Sequence, residues 1–262
     1  MMRIAGVLAE MVQAKRLELE PLRAPQARER LGVRLEQAAP PRDFSAALRR
    51  GKGYRIIAEM KRASPSRGLL SRDYDPERLA REYEEGGAAA LSVLTEARFF
   101  QGGPEHLEAA RRRSSLPILR KDFILEDLQV EESRAMGADA ILLIAAILDP
   151  VVLRRLLERA QALGMQALVE IHDRDDLASA LAAGATLVGV NNRDLATLRV
   201  DLRVSLDLAA VIPEGILRVS ESGLSRREDL ERLARAGYDA FLVGEALMTS
   251  ERPASRLREW AG

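Results

Sequence analysis

Glu59 and Lys61 stand two residues apart at the end of an apolar run, Ile56-Ile57-Ala58. In an extended strand that spacing turns both side chains to one face. A carboxylate and an ammonium at the end of an otherwise greasy strand are costly to bury. The next segment, Ser64-Pro65-Ser66-Arg67-Gly68, is rich in turn formers and cannot prolong the strand. A buried strand that ends in paired charges and opens into such a loop has the form of an active-site rim. The competing reading is a salt bridge at a strand end on the surface. A second hint comes from the cations. Of 40 Lys and Arg residues only four are lysines: Lys15, Lys52, Lys61 and Lys121. Arginine stays protonated at any working pH, whereas lysine exchanges a proton when its pKa is shifted. Lys61 and Lys121 fall at strand ends and become the candidates for proton transfer. Lys15 and Lys52 read as ordinary surface residues.

The elements that must carry these residues recur. From Tyr54 onward, charged amphipathic helices end in Gly plus a small residue and pass at once into an apolar strand, as at Met136-Gly137-Ala138 and Ala236-Gly237-Tyr238. Glycine at a helix C-terminus before a strand is the mark of an αβ loop. Eight strands are expected: Ile56–Met60, Ala90–Leu94, Ile118–Lys121, Ala140–Ile144, Ala167–Glu170, Leu187–Val190, Leu217–Ser220 and Ala240–Val243. Helical patterns separate them, and a last one covers Pro253–Trp260. Strict alternation with nearly continuous apolar strands means a parallel sheet covered by helices. Eight such units favour an α/β fold of the (β/α)8 TIM-barrel kind. A doubly wound open sheet is the alternative, but no Gly-rich turn follows the first strand. Residues 1–50 differ: Ile4–Leu19 has helical spacing, Pro21, Pro25, Pro40 and Pro41 punctuate the next stretch, and Phe44–Arg50 reads as a short helix. We expect one barrel domain over residues 1–262, with 1–50 as an N-terminal helical extension packed on it.

Composition narrows the function. Forty acidic residues balance the 40 basic ones, so there is no electrostatic footprint for nucleic acid. Hydrophobic content of 47 % suffices for a real core. The absence of cysteine rules out disulfides and thiolate chemistry, and two histidines, His106 and His172, rule out a His-rich metal site. No apolar run is long enough for a membrane span, and no signal-peptide pattern opens the chain. A cytoplasmic protein is expected.

In barrels of this kind the active site lies at the C-terminal ends of the strands. Polar residues collect there: Glu59 and Lys61; Ser92, Thr95 and Glu96; Arg120-Lys121-Asp122-Phe123; Glu170-Ile171-His172; Asn191-Asn192-Arg193; Ser220-Glu221-Ser222-Gly223; and Gly244-Glu245. The fourth strand stays apolar through Leu142 and Ile144, so one wall of the mouth should be greasy. Ser222-Gly223 and Gly244-Glu245 each precede a helical pattern after strands seven and eight, where such barrels bind phosphate on main-chain N–H groups. Ordinary tight turns are the alternative. His172 is expected to be structural, capping the next helix or facing solvent, and His106 to lie on a helix surface. The glutamates could hold a hard cation, but two lysines in the same ring would compete for them.

The motifs IIAEMKRASPSRG (56–68), LSVLTEARFFQGG (91–103), LPILRKDFI (116–124), ALVEIHD (167–173), VSESGL (219–224) and FLVGEALM (241–248), together with the NNRDL segment after the sixth strand, resemble those of the indole-3-glycerol phosphate synthase family. They span the barrel from first strand to last. The resemblance implies conversion of 1-(2-carboxyphenylamino)-1-deoxyribulose 5-phosphate to indole-3-glycerol phosphate, with loss of carbon dioxide and water and without metal or organic cofactor. It implies Lys121 as general acid, Glu170 as general base and Lys61 as a second lysine near phosphate and carboxylate. Glu59, Ser64, Asn191, Arg193 and Glu221 match further polar positions of the site. Ser222, Gly223, Gly244 and Glu245 match the phosphate grip, and Phe100, Phe123, Leu142 and Leu195 the aromatic-ring pocket. Beside a phosphate, Glu245 fits only if its main-chain N–H binds and its side chain turns out. The partner implied is a small phosphorylated substrate, with neither nucleic acid nor membrane, and the protein is expected as a monomer or weak homo-oligomer. Two rivals are a Schiff-base aldolase using Lys61 or Lys121 and a non-catalytic barrel that senses a phosphometabolite.

Overall fold

The computed structural model describes residues 6–49, 51, 53–194 and 196–262. Ile4, Arg50, Lys52 and Leu195 therefore lie outside the described residues. Eight strands alternate with helices: β1 Arg55–Met60, β2 Ala90–Leu94, β3 Ile118–Lys121, β4 Ala140–Ile144, β5 Gln166–Ile171, β6 Leu187–Asn191, β7 Leu217–Glu221 and β8 Ala240–Val243. Each pairs in parallel with the next, and β8 returns to β1 with Arg55 opposite Ala240 and Ala58 opposite Val243. The sheet is a closed (β/α)8 barrel, and the open doubly wound alternative is excluded.

The local causes are those read from the sequence. Four of the strands, β2, β4, β6 and β8, are buried at every position, so they need cover on both faces, inside by one another and outside by helices. Helices start on caps: Asp75 accepts the N–H groups of Glu77 and Arg78, and Asp149 that of Val151, each before a proline at the first helical position. They stop on left-handed glycines such as Gly184, φ 91°. After β1 the Ser/Pro/Gly segment folds into a small antiparallel hairpin, Ala63–Ser64 against Gly68–Leu69, rather than an irregular loop.

Among the described residues three α-helices precede the barrel: α1 Val7–Glu18, α2 Pro25–Gln37 and α3 Phe44–Arg49. Leu8, Met11 and Val12 of α1 and Phe44 and Leu48 of α3 join the continuous hydrophobic core. The stretch before α3 is tied to the N-terminal ends of the strands. The Arg42 N–H donates to Asp139 Oδ1 at 2.6 Å and the Phe44 N–H to Gln166 Oε1 at 3.0 Å. At the opposite end of the barrel α1 delivers Lys15, which is buried and pairs with Asp122 Oδ1 at 2.8 Å. The expectation that Lys15 is a surface residue is corrected here: a helical spacing shows which positions share a face, not which face a later element covers.

Candidate active site

One cavity of about 680 Å³ opens at the C-terminal ends of the strands. Glu59, Lys61, Phe100, Lys121, Phe123, Leu142, Glu170, Asn191, Arg193, Glu221, Ser222, Gly223, Gly244 and Glu245 all line it. Ser64 sits in the hairpin behind, with Oγ 3.5 Å from Ser66 Oγ, and it is Ser66 that reaches the cavity. Leu195 is outside the described residues.

The centre is a lysine between two glutamates. Lys121 Nζ lies 3.0 Å from Glu170 Oε2 and 2.8 Å from Glu221 Oε2, joining the ends of β3, β5 and β7. Burial alone would lower the pKa of this ammonium, but Glu170, Glu221 and Glu59 outweigh it, and the group is held protonated well above the usual lysine range. The two carboxylates diverge although both are buried. Burial raises Glu170, but Lys121, the His172 ring and the Asn191 side chain overcome it, so its pKa falls below the ordinary value. Glu221 has fewer helpers. Burial, with the nearby Glu170 and Glu59 charges, pushes it up to about 7 against the opposing pull of Lys121, and its Oε1 has no hydrogen-bond partner. The site thus holds an ammonium, a firmly ionised carboxylate and a carboxyl poised near neutrality. That is the pattern expected where acid and base roles are divided between neighbouring groups.

At the end of β1, Lys61 Nζ bonds Glu59 Oε1 at 2.6 Å. This pair faces the cavity rather than the outer surface, so the reading as an exposed salt bridge is not what the fold produces. On the other side Phe100, Phe123, Leu142 and Ile144 form the apolar wall. The end of the cavity beside the β7 and β8 loops combines unusual backbone with two arginines, Arg67 and Arg193. Ser222 and Gly223 both have left-handed φ, 67° and 79°; for a serine this is an uncommon conformation that surrounding contacts must hold. Asn192 supplies them, its amide N–H groups donating to Glu221 O at 2.9 Å and Ser222 O at 3.2 Å. Glu245 does not turn away from the cavity as expected. Its carboxylate accepts from Arg67 Nε at 2.8 Å and lies 3.9 Å from Arg193 Nη2, so its charge is compensated.

Several side chains take places that the sequence did not give. His172 neither caps the next helix nor faces solvent: Asp173 is the cap, and the His172 Nε2 lies 3.6 Å from Glu170 Oε1. Gly189 makes room for Glu221, because a Cβ there would come within 2.0 Å of Glu221 Oε1; a lone glycine inside an apolar strand was the available signal. The Glu96 carboxylate accepts the N–H groups of Arg98, Phe99 and Phe100 and so fixes the turn carrying Phe100. Arg120 and Asp122 belong to a network behind the strand, with Thr95, Ser133 and Glu132. His106 is partly covered by Tyr74, ring centroids 4.9 Å apart, rather than lying free on its helix.

Among the described residues no helix is long and apolar enough to cross a membrane, and no group of three or more His, Asp or Glu is arranged to hold a metal ion. Among solved structures the barrel is similar to KGPDC from Streptococcus mutans, with TM-score 0.61 and 13 % identity over 80 % of this chain and 96 % of that one. It is also similar to thiamine phosphate pyrophosphorylase from Pyrococcus furiosus, with TM-score 0.59 and 17 % identity over 79 % and 93 % of the two chains. At those identities the likeness speaks for the fold alone. Sequence relatives say more. The chain is 47 % identical over 251 residues to the indole-3-glycerol phosphate synthase of Chloroherpeton thalassium, covering 95 % of this chain and 96 % of the relative. It is 47 % identical over 264 residues to that of Roseiflexus sp., covering 98 % of both. The family profile for indole-3-glycerol phosphate synthase matches residues 8–260, strands and N-terminal helices together. With the lysine–glutamate centre, the apolar wall and the loops after β7 and β8 assembled on one barrel mouth, the chain belongs to the indole-3-glycerol phosphate synthase family.

Proposed function

We propose that this cavity performs the indole-3-glycerol phosphate synthase reaction with Lys121 as general acid, Glu170 as general base and Lys61 as the second proton donor. The observation that carries the assignment is the position of Lys121 Nζ, 3.0 Å from Glu170 and 2.8 Å from Glu221 at the barrel mouth. The substrate is an aryl-amino ribulose phosphate whose aromatic ring carries a carboxylate. Its ring lies against Phe100, Phe123 and Leu142, and its phosphate against the loops at Ser222–Gly223 and Gly244–Glu245, with Arg67 and Arg193 nearby.

The ring carbon that bears the carboxylate attacks the ribulose carbonyl carbon. Lys121 gives its proton to the carbonyl oxygen as the carbon–carbon bond forms. Carbon dioxide then leaves with its bonding electrons passing into the ring, which restores aromaticity. The new hydroxyl departs as water with a proton from Lys61, and Glu170 takes a proton from the neighbouring methylene carbon that is bonded to the ring nitrogen, so that the C–H electrons form the second double bond of the indole ring. Lys121 is reprotonated from solvent, and Glu170 returns its proton to the Lys61 side of the site. Each such acid–base group typically supplies ~10²–10⁴ in rate, and the rest comes from folding the substrate so that the two carbons meet.

A lysine nucleophile must be neutral, whereas burial opposed by three carboxylates leaves Lys121 an ammonium. This favours proton donation over a Schiff base. The test is indole fluorescence from the synthetic substrate, with and without borohydride. Turnover without a trapped covalent adduct supports the reading. A borohydride-stable adduct on Lys121 refutes the role of Lys121, and no turnover refutes the function. The N-terminal helices and barrel are read as one domain over residues 1–262, acting in the cytoplasm as a monomer or weak homo-oligomer without nucleic acid or membrane partners.

A further inference from the structure

Lys15 is 2 % exposed although it lies on a helix outside the barrel. A buried lysine needs strong compensation, because desolvating an ammonium is costly. Its partners are Glu18 at 2.9 Å, toward the surface, and Asp122 Oδ1 at 2.8 Å. Asp122 separates Lys121 from Phe123 in sequence, and its two oxygens do different work. Oδ2 accepts from Thr95 Oγ1 at 2.7 Å and from Arg120 Nη2 at 3.0 Å, which ties it to the barrel wall. Oδ1 accepts the Phe123 N–H at 2.8 Å and is the oxygen that Lys15 holds. Lys121, by contrast, is fixed by its own bonds to Glu170 and Glu221.

We propose that Lys15 is a positioning residue for substrate binding: through Asp122 Oδ1 it sets the backbone at Phe123 and hence the apolar wall against which the substrate ring rests. The proposal builds on the reading of Phe123 as a ring contact. Arg120 remains to neutralise Asp122 when Lys15 is lost, so the wall loosens while the ammonium of Lys121 stays in place. The effect therefore falls on KM and not on kcat.

Steady-state kinetics of Lys15→Met, measured well below its unfolding temperature, test this. KM should rise about tenfold, the scale of one lost charge-assisted contact, with kcat nearly unchanged. If the methionine variant does not fold, Lys15→Gln, which keeps an N–H donor at similar reach, takes its place with a smaller rise expected. A folded variant with lowered urea resistance but unaltered KM means that Lys15 serves stability alone and overturns the proposal. A fall in kcat at constant KM places the effect on Lys121 and overturns it equally. Phe123→Ala is measured beside them. Raised KM there with unaltered KM at Lys15 sinks the proposal and leaves the ring-pocket reading standing. Unaltered KM in Phe123→Ala sinks the pocket reading itself.

Discussion

Glu221→Gln should make the protein more stable, and only at high pH. Glu221 is buried with one oxygen unbonded, and its folded pKa of about 7 lies above the ordinary 4.5. An unfolded Glu221 releases its proton near 4.5, whereas the folded one retains it until about 7. Between those values the folded state binds more protons, so stability falls as pH rises, and the full cost is present above the folded pKa. The gap between 4.5 and about 7, at about 1.4 kcal/mol per unit, is worth about 3 kcal/mol. Glutamine copies the protonated side chain, keeps an oxygen for Lys121 and never ionises, so Lys121 still holds Glu170. Urea unfolding followed by far-UV circular dichroism, variant minus wild type, should give no difference near pH 4.5. At pH 9 it should give a gain of up to ~3 kcal/mol, equivalent to roughly 6 °C in a reversible melt of a chain this size. Turnover should fall in the same variant, since a site that charges a buried carboxyl at the expense of stability does so for function. Equal stabilisation at both pH values would mean that packing, not charge, is responsible. No stabilisation at pH 9 would mean that Glu221 is well solvated or paired, and the account of the lysine–glutamate centre would be wrong.

Lys121→Arg should lower kcat by ~10²-fold or more with KM little changed, because arginine keeps the charge but does not release a proton. Near wild-type turnover would move the general acid to Lys61. Lys61→Arg, measured across pH beside it, should also lower kcat, because Lys61 donates the proton to the departing hydroxyl, and should raise KM besides. Gly189→Ala should cost ~1–3 kcal/mol of stability by overpacking and depress kcat, because its Cβ would meet Glu221 Oε1 at 2.0 Å. Unaltered kinetics would show that Glu221 has room to move. A crystal soaked in phosphate should hold an anion between the turns at Gly223 and Gly244, and an anion bound only elsewhere at the mouth would remove the basis for that site.

Much of this arrangement is legible in the sequence. Strand and helix placement follows from local periodicity, because a strand buried on both faces must be apolar throughout and a covering helix must be apolar on one face. Strands β2, β3, β4 and β8 lie where the pattern put them, and the others extend by a residue at one or both ends. That Lys61, Lys121, Glu170 and Glu221 share one mouth also follows, because parallel closure sends every strand's C-terminal end the same way. What the chain alone did not settle is which neighbour each charge meets. Lys15 looked exposed because its burial depends on Asp122, 107 positions away and brought near only when α1 crosses the end of β3. His172 looked structural because its distance from the Glu170 carboxylate depends on side-chain packing beyond the alternation of the strand. Glu245 looked out of place beside a phosphate until the hairpin after β1 set Arg67 against it. The split between Glu170, held ionised, and Glu221, poised near neutrality, is likewise tertiary: both are glutamates at strand ends, and only unequal access to His172, Asn191 and each other separates them. Residue type determines which proton can move; long-range packing decides the pH at which it does.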